Sequence, residues 1–250
     1  MSQQAHNTGH ATPVDRNWQK IYIIGGIVAL LALAGTLSDI ILAMIPGWEA
    51  TTTPTTMQAW FTQLYETPLL GLRNLDMLNM IIWLVEVPLY LALFGAHRKN
   101  LRPQAALALI VVLAGKLLIA ASNAALPMLA LSGQYAQATE TQQLTLEAAG
   151  QALLARGAHG SMGVFLGFFL SSLGSLLMNM VMIKGGVFTR ITGWIGVASF
   201  IPLLAYVISE TFIPQIENVM MLLAMPGGLL VLAWYIIVAR RLLRMGREGE

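Results

Sequence analysis

The 250-residue chain is 56% hydrophobic and 10% charged, carries a net charge of only +2 and has no cysteine. A soluble domain carries about 25% charged residues, so a water-soluble globule is excluded and an integral membrane protein is indicated. Disulfides, thiolate metal sites and thiol nucleophiles are excluded with the cysteines, and the basic residues sit at the ends of apolar runs rather than on one face, which argues against nucleic acid.

Residues 1–19 are polar and read as a disordered cytoplasmic tail. His6 and His10 have i,i+4 spacing, but Gly9 and Pro13 oppose the helix that a metal pair would need, so no metal site is expected. The first apolar run, about 21–45, is too long for a signal-peptide core and reads as an uncleaved first span. Asp39 lies near its far end, Trp18 and Tyr22 near its start, and Pro46-Gly47 stops it. In the loop over 47–70, Trp60, Phe61, Leu64 and Tyr65 predict a short amphipathic helix lying in the membrane interface.

Spans two and three, about 70–95 and 104–131, are joined by a basic turn with His97, Arg98, Lys99 and Arg102. Pro88 and Pro127 are expected to kink them. In the second long loop, 132–158, Thr139 to Gln142 resembles a capping box. It predicts a helix through about 155 that packs on the domain surface through Leu146, Ala149 and Leu153.

Span four, about 160–183, carries Gly163, Gly167, Ser171, Ser175 and Asn179 at four-residue intervals. Small residues on one face let two helix backbones approach closely, within the bundle or in a homodimer. Span five covers about 191–213. Span six, about 217–239, contains Met225-Pro226-Gly227-Gly228, where a lost hydrogen bond and two flexible residues predict a helix break. The whole is one all-α domain of six transmembrane helices over 20–243, followed by a cytoplasmic tail, 244–250.

Arg16, Lys20, Arg98, Lys99, Arg102, Lys184, Arg190, Arg240, Arg241, Arg244 and Arg247 fall on one side of such a bundle, whereas the opposite loops hold Arg73 and Arg156. This bias puts both termini in the cytoplasm and both long loops outside.

Polar residues inside apolar spans are costly and often functional. Counted at about 1.5 Å per residue from the cytoplasmic end, Glu86 lies about 15 Å and Lys116 about 18 Å deep. Neighbouring antiparallel spans joined by a short turn bring them level, which predicts an ion pair. Asp39, Asp76 and Asn123 fall near the outer boundary, with Asn79 one turn further in. Arg73 is spaced to pair with Asp76 along a helix. These residues form either structural pairs that fix helix register, or an outward-open cavity for a polar or ionic solute or a proton relay.

The sequence has no nucleophile elbow, HExxH or phosphate-binding loop, and no cofactor is expected. His97, in the basic turn, and His159 are too scattered for haem or quinone ligation. Lys116 lies on the third of six spans, which speaks against a retinal Schiff base.

Several segments resemble a family of bacterial membrane proteins known as domain-of-unknown-function family 4386: Tyr135 to Thr139 (YAQAT), Ala148 to Gly150, Val187-Phe188-Thr189-Arg190 before Gly193 to Gly196, and Asp76 to Asn79 followed by Pro88-Leu89-Tyr90. The resemblance implies a multi-pass protein of the bacterial cytoplasmic (inner) membrane and supplies no activity or catalytic residue. The first functional reading is a non-catalytic membrane protein, as an accessory subunit or small homo-oligomer in the lipid bilayer. A transporter or sensor for a small polar or ionic solute is the alternative. The second alternative is a membrane enzyme acting on lipid through Asp39, Asp76 or Glu210.

The charge bias is directly testable. Cysteines introduced as Thr52→Cys and Arg244→Cys are expected to react with an impermeant label from opposite sides of the membrane; labelling from the same side overturns the six-span topology.

Overall fold

The computed structural model describes residues 13–48, 54–158 and 160–248. Within them every regular element is helical. Helix α1 spans Pro13–Ala43, α2 Met57–Glu66, α3 Pro68–Asn74, α4 Met77–Val85, α5 Val87–His97 and α6 Arg102–Ser122. They are followed by α7 Ala125–Tyr135, α8 Glu140–Gly157, α9 Met162–Gly185, α10 Arg190–Phe212 and α11 Glu217–Arg247. Residues 13–19, expected to be part of a disordered tail, are helical: Pro13 opens α1 in the first helical turn, where a missing N–H costs nothing. Residues 1–12 of that expected tail lie outside the described residues. His6, His10, Thr52 and His159 lie outside the described residues.

Six helical segments are long and apolar enough to cross a membrane, which makes this a multi-pass membrane protein. They close into a ring. α1 packs on α11, α11 on α10, α10 on α9, α9 on α6, and α6 on the α4–α5 pair, which returns to α1. Outward positions are apolar, for example Ile27, Leu31 and Ile41 on α1, Leu107, Ile110 and Leu117 on α6, and Leu222 and Leu229 on α11. A lipid solvent asks for such a surface, and water does not.

The most extensive helix packing is between α6 and α9, and the small-residue face produces it inside the chain. A Cβ on Gly115 would collide with the Ser171 backbone nitrogen and stand 2.6 Å from the Gly167 carbonyl. One on Gly174 would stand 2.5 Å from the Val112 nitrogen, and one on Gly163 would stand 2.7 Å from Ser122 Oγ. Further along, Asn179 turns to other neighbours. Its Oδ1 accepts from Trp234 Nε1 at 2.8 Å, and its side chain lies where a Cβ on Gly196 would be.

Spans two and three are interrupted more than proline alone predicts. Asp76 adopts a left-handed conformation (φ 58°) between α3 and α4, a geometry that Asp tolerates better than most residues. Glu86 separates α4 from α5, with Pro88 in the first turn of α5. Span three breaks at Asn123, ahead of Pro127. There the Asn123 side chain accepts from the Ala125 N–H and donates to the Leu75 carbonyl, both at 2.9 Å.

The predicted break at Pro226 is absent, and α11 runs through it. A single proline removes one donor, which a packed helix absorbs. Gly227 gains a close contact instead: a Cβ there would lie 2.8 Å from Pro202 Cγ and from the Ser199 carbonyl.

The expected interfacial helix is α2, but its aromatic face is turned inward. Trp60, Phe61 and Leu64 are buried with Met128, Ala125 and Leu75 in a small second core, against which Leu146 and Leu153 of α8 also pack. Thr139 and Gln142 make the predicted capping box at the start of α8. At the other end of the bundle the basic turns meet: Arg98 donates to Tyr22 Oη at 2.9 Å and stacks over Trp18, and Arg241 donates to the Val187 carbonyl at 3.0 Å. His97 is not in the turn but ends α5, buried against Phe188 with neither ring nitrogen hydrogen-bonded.

Two glycine substitutions separate close packing from open space. Gly115→Ala is expected to lower stability by about 1–3 kcal/mol through overpacking. Gly228→Ala, with nothing within 4 Å of its new methyl, should leave stability unchanged or raise it. Thermal unfolding in detergent reads both.

Candidate functional site

The centre of the ring is not filled. A cavity of about 260 Å³ lies between the spans, with wall residues from all six of them, among them Thr36, Asn79, Lys116, Ser171, Glu210 and Tyr235. Taken at about 30 Å³ per water, it holds on the order of eight waters. Part of the wall is aromatic: Trp83 and Phe168 are in edge contact at 4.1 Å between centroids, and Phe200 also lines the cavity.

The inner end is built around Glu86 and Lys116, which are 3% and 2% exposed. Lys116 Nζ donates to Glu86 Oε2 at 2.6 Å, as level helices predict. The other carboxylate oxygen, Oε1, accepts a short hydrogen bond from the Tyr235 hydroxyl on α11. Glu86 therefore has both oxygens occupied. The pair is brought into reach by the interruption of span two: Glu86 stands at the joint between α4 and α5, where Pro88 cannot donate to the helix.

A second polar group lies beside it. Tyr90 Oη and Ser175 Oγ are 2.5 Å apart, and Ser175 Oγ donates to the Ser171 carbonyl at 2.8 Å. The serine's one proton is thus committed, so Tyr90 donates to Ser175. The Tyr90 ring also faces Lys116, with Nζ 5.2 Å from its centroid, a cation–π contact.

An ammonium has three N–H donors. Among the described residues, Lys116 gives one to Glu86, and its Nζ also lies over the Tyr90 ring. The wall therefore presents donor capacity on Lys116 and acceptor capacity on the Tyr90 and Tyr235 oxygens. Buried polar groups in this state are where a ligand or water makes its hydrogen bonds.

Of the residues predicted from sequence, Asn79, Glu86, Lys116, Ser171 and Ser175 meet at the cavity. Asp39, Arg73 and Asp76 do not line it. The expected Arg73–Asp76 pair is replaced by Arg73 Nε to Asp39 Oδ1 at 3.1 Å, with Arg73 also donating to the Trp48 carbonyl at 2.6 Å. The left-handed turn at Asp76 removes the continuous helix that i,i+3 pairing needs, and Asp76 accepts from Asn79 instead, at 3.3 Å. Asn123 serves the helix joint in span three. Gly163 and Gly167 serve α6–α9 packing. Of the supposed break, Gly228 alone lines the cavity, as open wall rather than as freed backbone. Tyr90, Tyr235, Trp83 and Tyr206 escaped the sequence reading as site residues, although tyrosine deep in a span, away from the interfacial belt, is itself a polar signal.

A scan against family models finds no match, and searches of curated proteins and of solved structures find no significant similarity.

Removing one partner of a buried pair strands the other. Lys116→Met alone is expected to cost about 3–5 kcal/mol, and the double change Glu86→Gln plus Lys116→Met distinctly less. Equal or additive losses in thermal unfolding would sink the pairing.

Proposed function

We propose that this protein binds a small polar or ionic solute within its helix bundle and acts as a transporter or sensor of that solute. The observation that carries this reading is the central cavity, walled by all six spans and holding the buried Glu86–Lys116 pair. A bundle that served only as scaffold gains nothing from a charge pair buried beside a void: replacing the pair with packed apolar side chains would be neutral or stabilising. Retention of charge at membrane depth, beside open volume, is the pattern of a solute site.

The reading as an accessory subunit or homo-oligomer drew on the small-residue face of span four. That face is occupied by α6 within the chain, so its support weakens. The reading as a lipid enzyme needs neighbouring carboxylates. Asp39 is engaged with Arg73 and Asp76 with Asn79, while Glu210 lines the cavity, so that constellation has little support. Residence in a bacterial cytoplasmic membrane, cytoplasmic termini and membership of the family of unknown function belong to the same proposal; the motifs at Tyr135–Thr139 and Val187–Arg190 and the charge bias support them.

Gly228→Leu offers a direct test, because the new side chain enters open cavity space. It is expected to preserve folding and to abolish the thermal stabilisation that a binding solute gives the wild type across a panel of anions, cations and neutral polar molecules. A wild type stabilised by none of the panel, or a Gly228→Leu protein stabilised equally, would refute cavity binding.

A further inference from the structure

We infer that the solute is a small carboxylate, or an oxyanion of like size, that binds Lys116 together with one proton taken up by Glu86. The inference rests on the cavity being the ligand site and adds the ligand's charge and its coupling to protons.

The resting pair is electrically neutral: one ammonium and one carboxylate, buried together. Lys116 has N–H donors beyond the one given to Glu86, and they border open volume. The partner they select has acceptor oxygens. An anion added to the neutral pair would leave an uncompensated charge in low dielectric, which is strongly unfavourable. A proton delivered with it removes that charge. The geometry identifies the receiving atom. Tyr235 already donates to Glu86 Oε1, so the new O–H forms on Oε2, the oxygen released by Lys116.

The exchange balances. One proton leaves water and bonds to Glu86 Oε2. The Lys116 N–H···O bond passes from Glu86 to the incoming carboxylate, and the new Glu86 O–H donates to that same carboxylate. The site is neutral before, as Glu⁻ and Lys⁺, and neutral after, as GluH, Lys⁺ and RCOO⁻. The Tyr90 ring continues to face the ammonium, and the aromatic wall takes a short apolar tail. The charged and titratable groups facing Glu86 are Lys116 on α6, Tyr90 on α5 and Tyr235 on α11; across the cavity, α10 contributes Tyr206 and Glu210. The cavity walls from α1, α4 and α9 contribute uncharged polar and aromatic groups there, such as Thr36, Asn79 and Ser171.

The test is calorimetry on the full chain in lipid nanodiscs with three probes of one size: butyrate, butylammonium and butanamide. Titrations run in two buffers of different ionisation enthalpy, so that protons taken up are counted. Butyrate is expected to bind with uptake of about one proton, and its affinity to fall about tenfold per pH unit wherever one proton is linked to binding. Glu86→Gln stands in for the protonated acid. It should still bind butyrate, with no proton uptake and no pH dependence, whereas Glu210→Gln should leave the proton count unchanged. Binding without proton uptake, or a count abolished by Glu210→Gln rather than Glu86→Gln, overturns the inference. Saturation by butylammonium or butanamide in place of butyrate also overturns it, while leaving the solute-binding proposal standing. Saturation by none of the three overturns both for solutes of this size. Dodecanoate in competition separates the sources of the acid: displacement of butyrate indicates a lipid-derived acid and indifference a water-soluble one, and either supports the carboxylate assignment.

Discussion

Everything at the centre of this bundle depends on the hydrogen-bonded charge pair of Glu86 and Lys116. Two charges removed from water cost several kcal/mol each, and their attraction offsets this only when geometry is good and the remaining polar atoms are satisfied. The protein supplies that geometry from three helices: α5 begins at the carboxylate, α6 carries the ammonium, and α11 adds the Tyr235 hydroxyl. The pair then constrains its surroundings. α6 must stand close to α9, which Gly115, Gly167 and Gly174 allow. α11, continuous through Pro226, carries Tyr235 to Glu86.

The two cores divide the remaining work. The larger one, with Trp234, Leu89, Leu93, Met178 and Leu242, holds the helices together around the end where the basic turns meet. The smaller one, under α2, α7 and α8, covers the other end with Trp60, Phe61 and Met128. Between the spans lies the cavity, its wall mostly apolar with the Glu86–Lys116 pair set in it. Its polar atoms are largely paired with one another, through Tyr90 to Ser175 to the Ser171 carbonyl and through Tyr235 to Glu86. Such a network is rigid enough to present the Lys116 ammonium in one position.

The fold class and the central pair were legible because both rest on one-dimensional quantities. Hydropathy over about 20 residues identifies a span, and depth along two consecutive spans identifies which charges are level. The Tyr235 contact was not legible, since Tyr235 lies 149 residues beyond Glu86 in the chain and the neighbours of α11 are set by ring closure. Arg73 shows a different limit. Its spacing to Asp76 satisfied the helical rule, yet a single left-handed residue at position 76 cancelled the helix and gave the arginine to Asp39. The aromatic face of α2 fitted lipid or protein equally well, because an apolar stripe does not say which apolar medium it meets. Pro226 and Gly227 had the composition of a break, but the same small residue was used to admit Pro202.

The joint between α4 and α5 has a mechanical consequence. A helix divided at one residue is a lever with its fulcrum there, and the fulcrum is Glu86. The shorter arm, α4, runs from the left-handed residue Asp76 to Glu86, so a helix interruption bounds it on each side. A small rotation of that arm displaces Asn79, about 10 Å along the axis, far more than it displaces the carboxylate. In such a lever the cavity wall at Asn79 and Trp83 moves through a larger arc than the Glu86–Lys116 pair, so the charge sits at the point of least displacement.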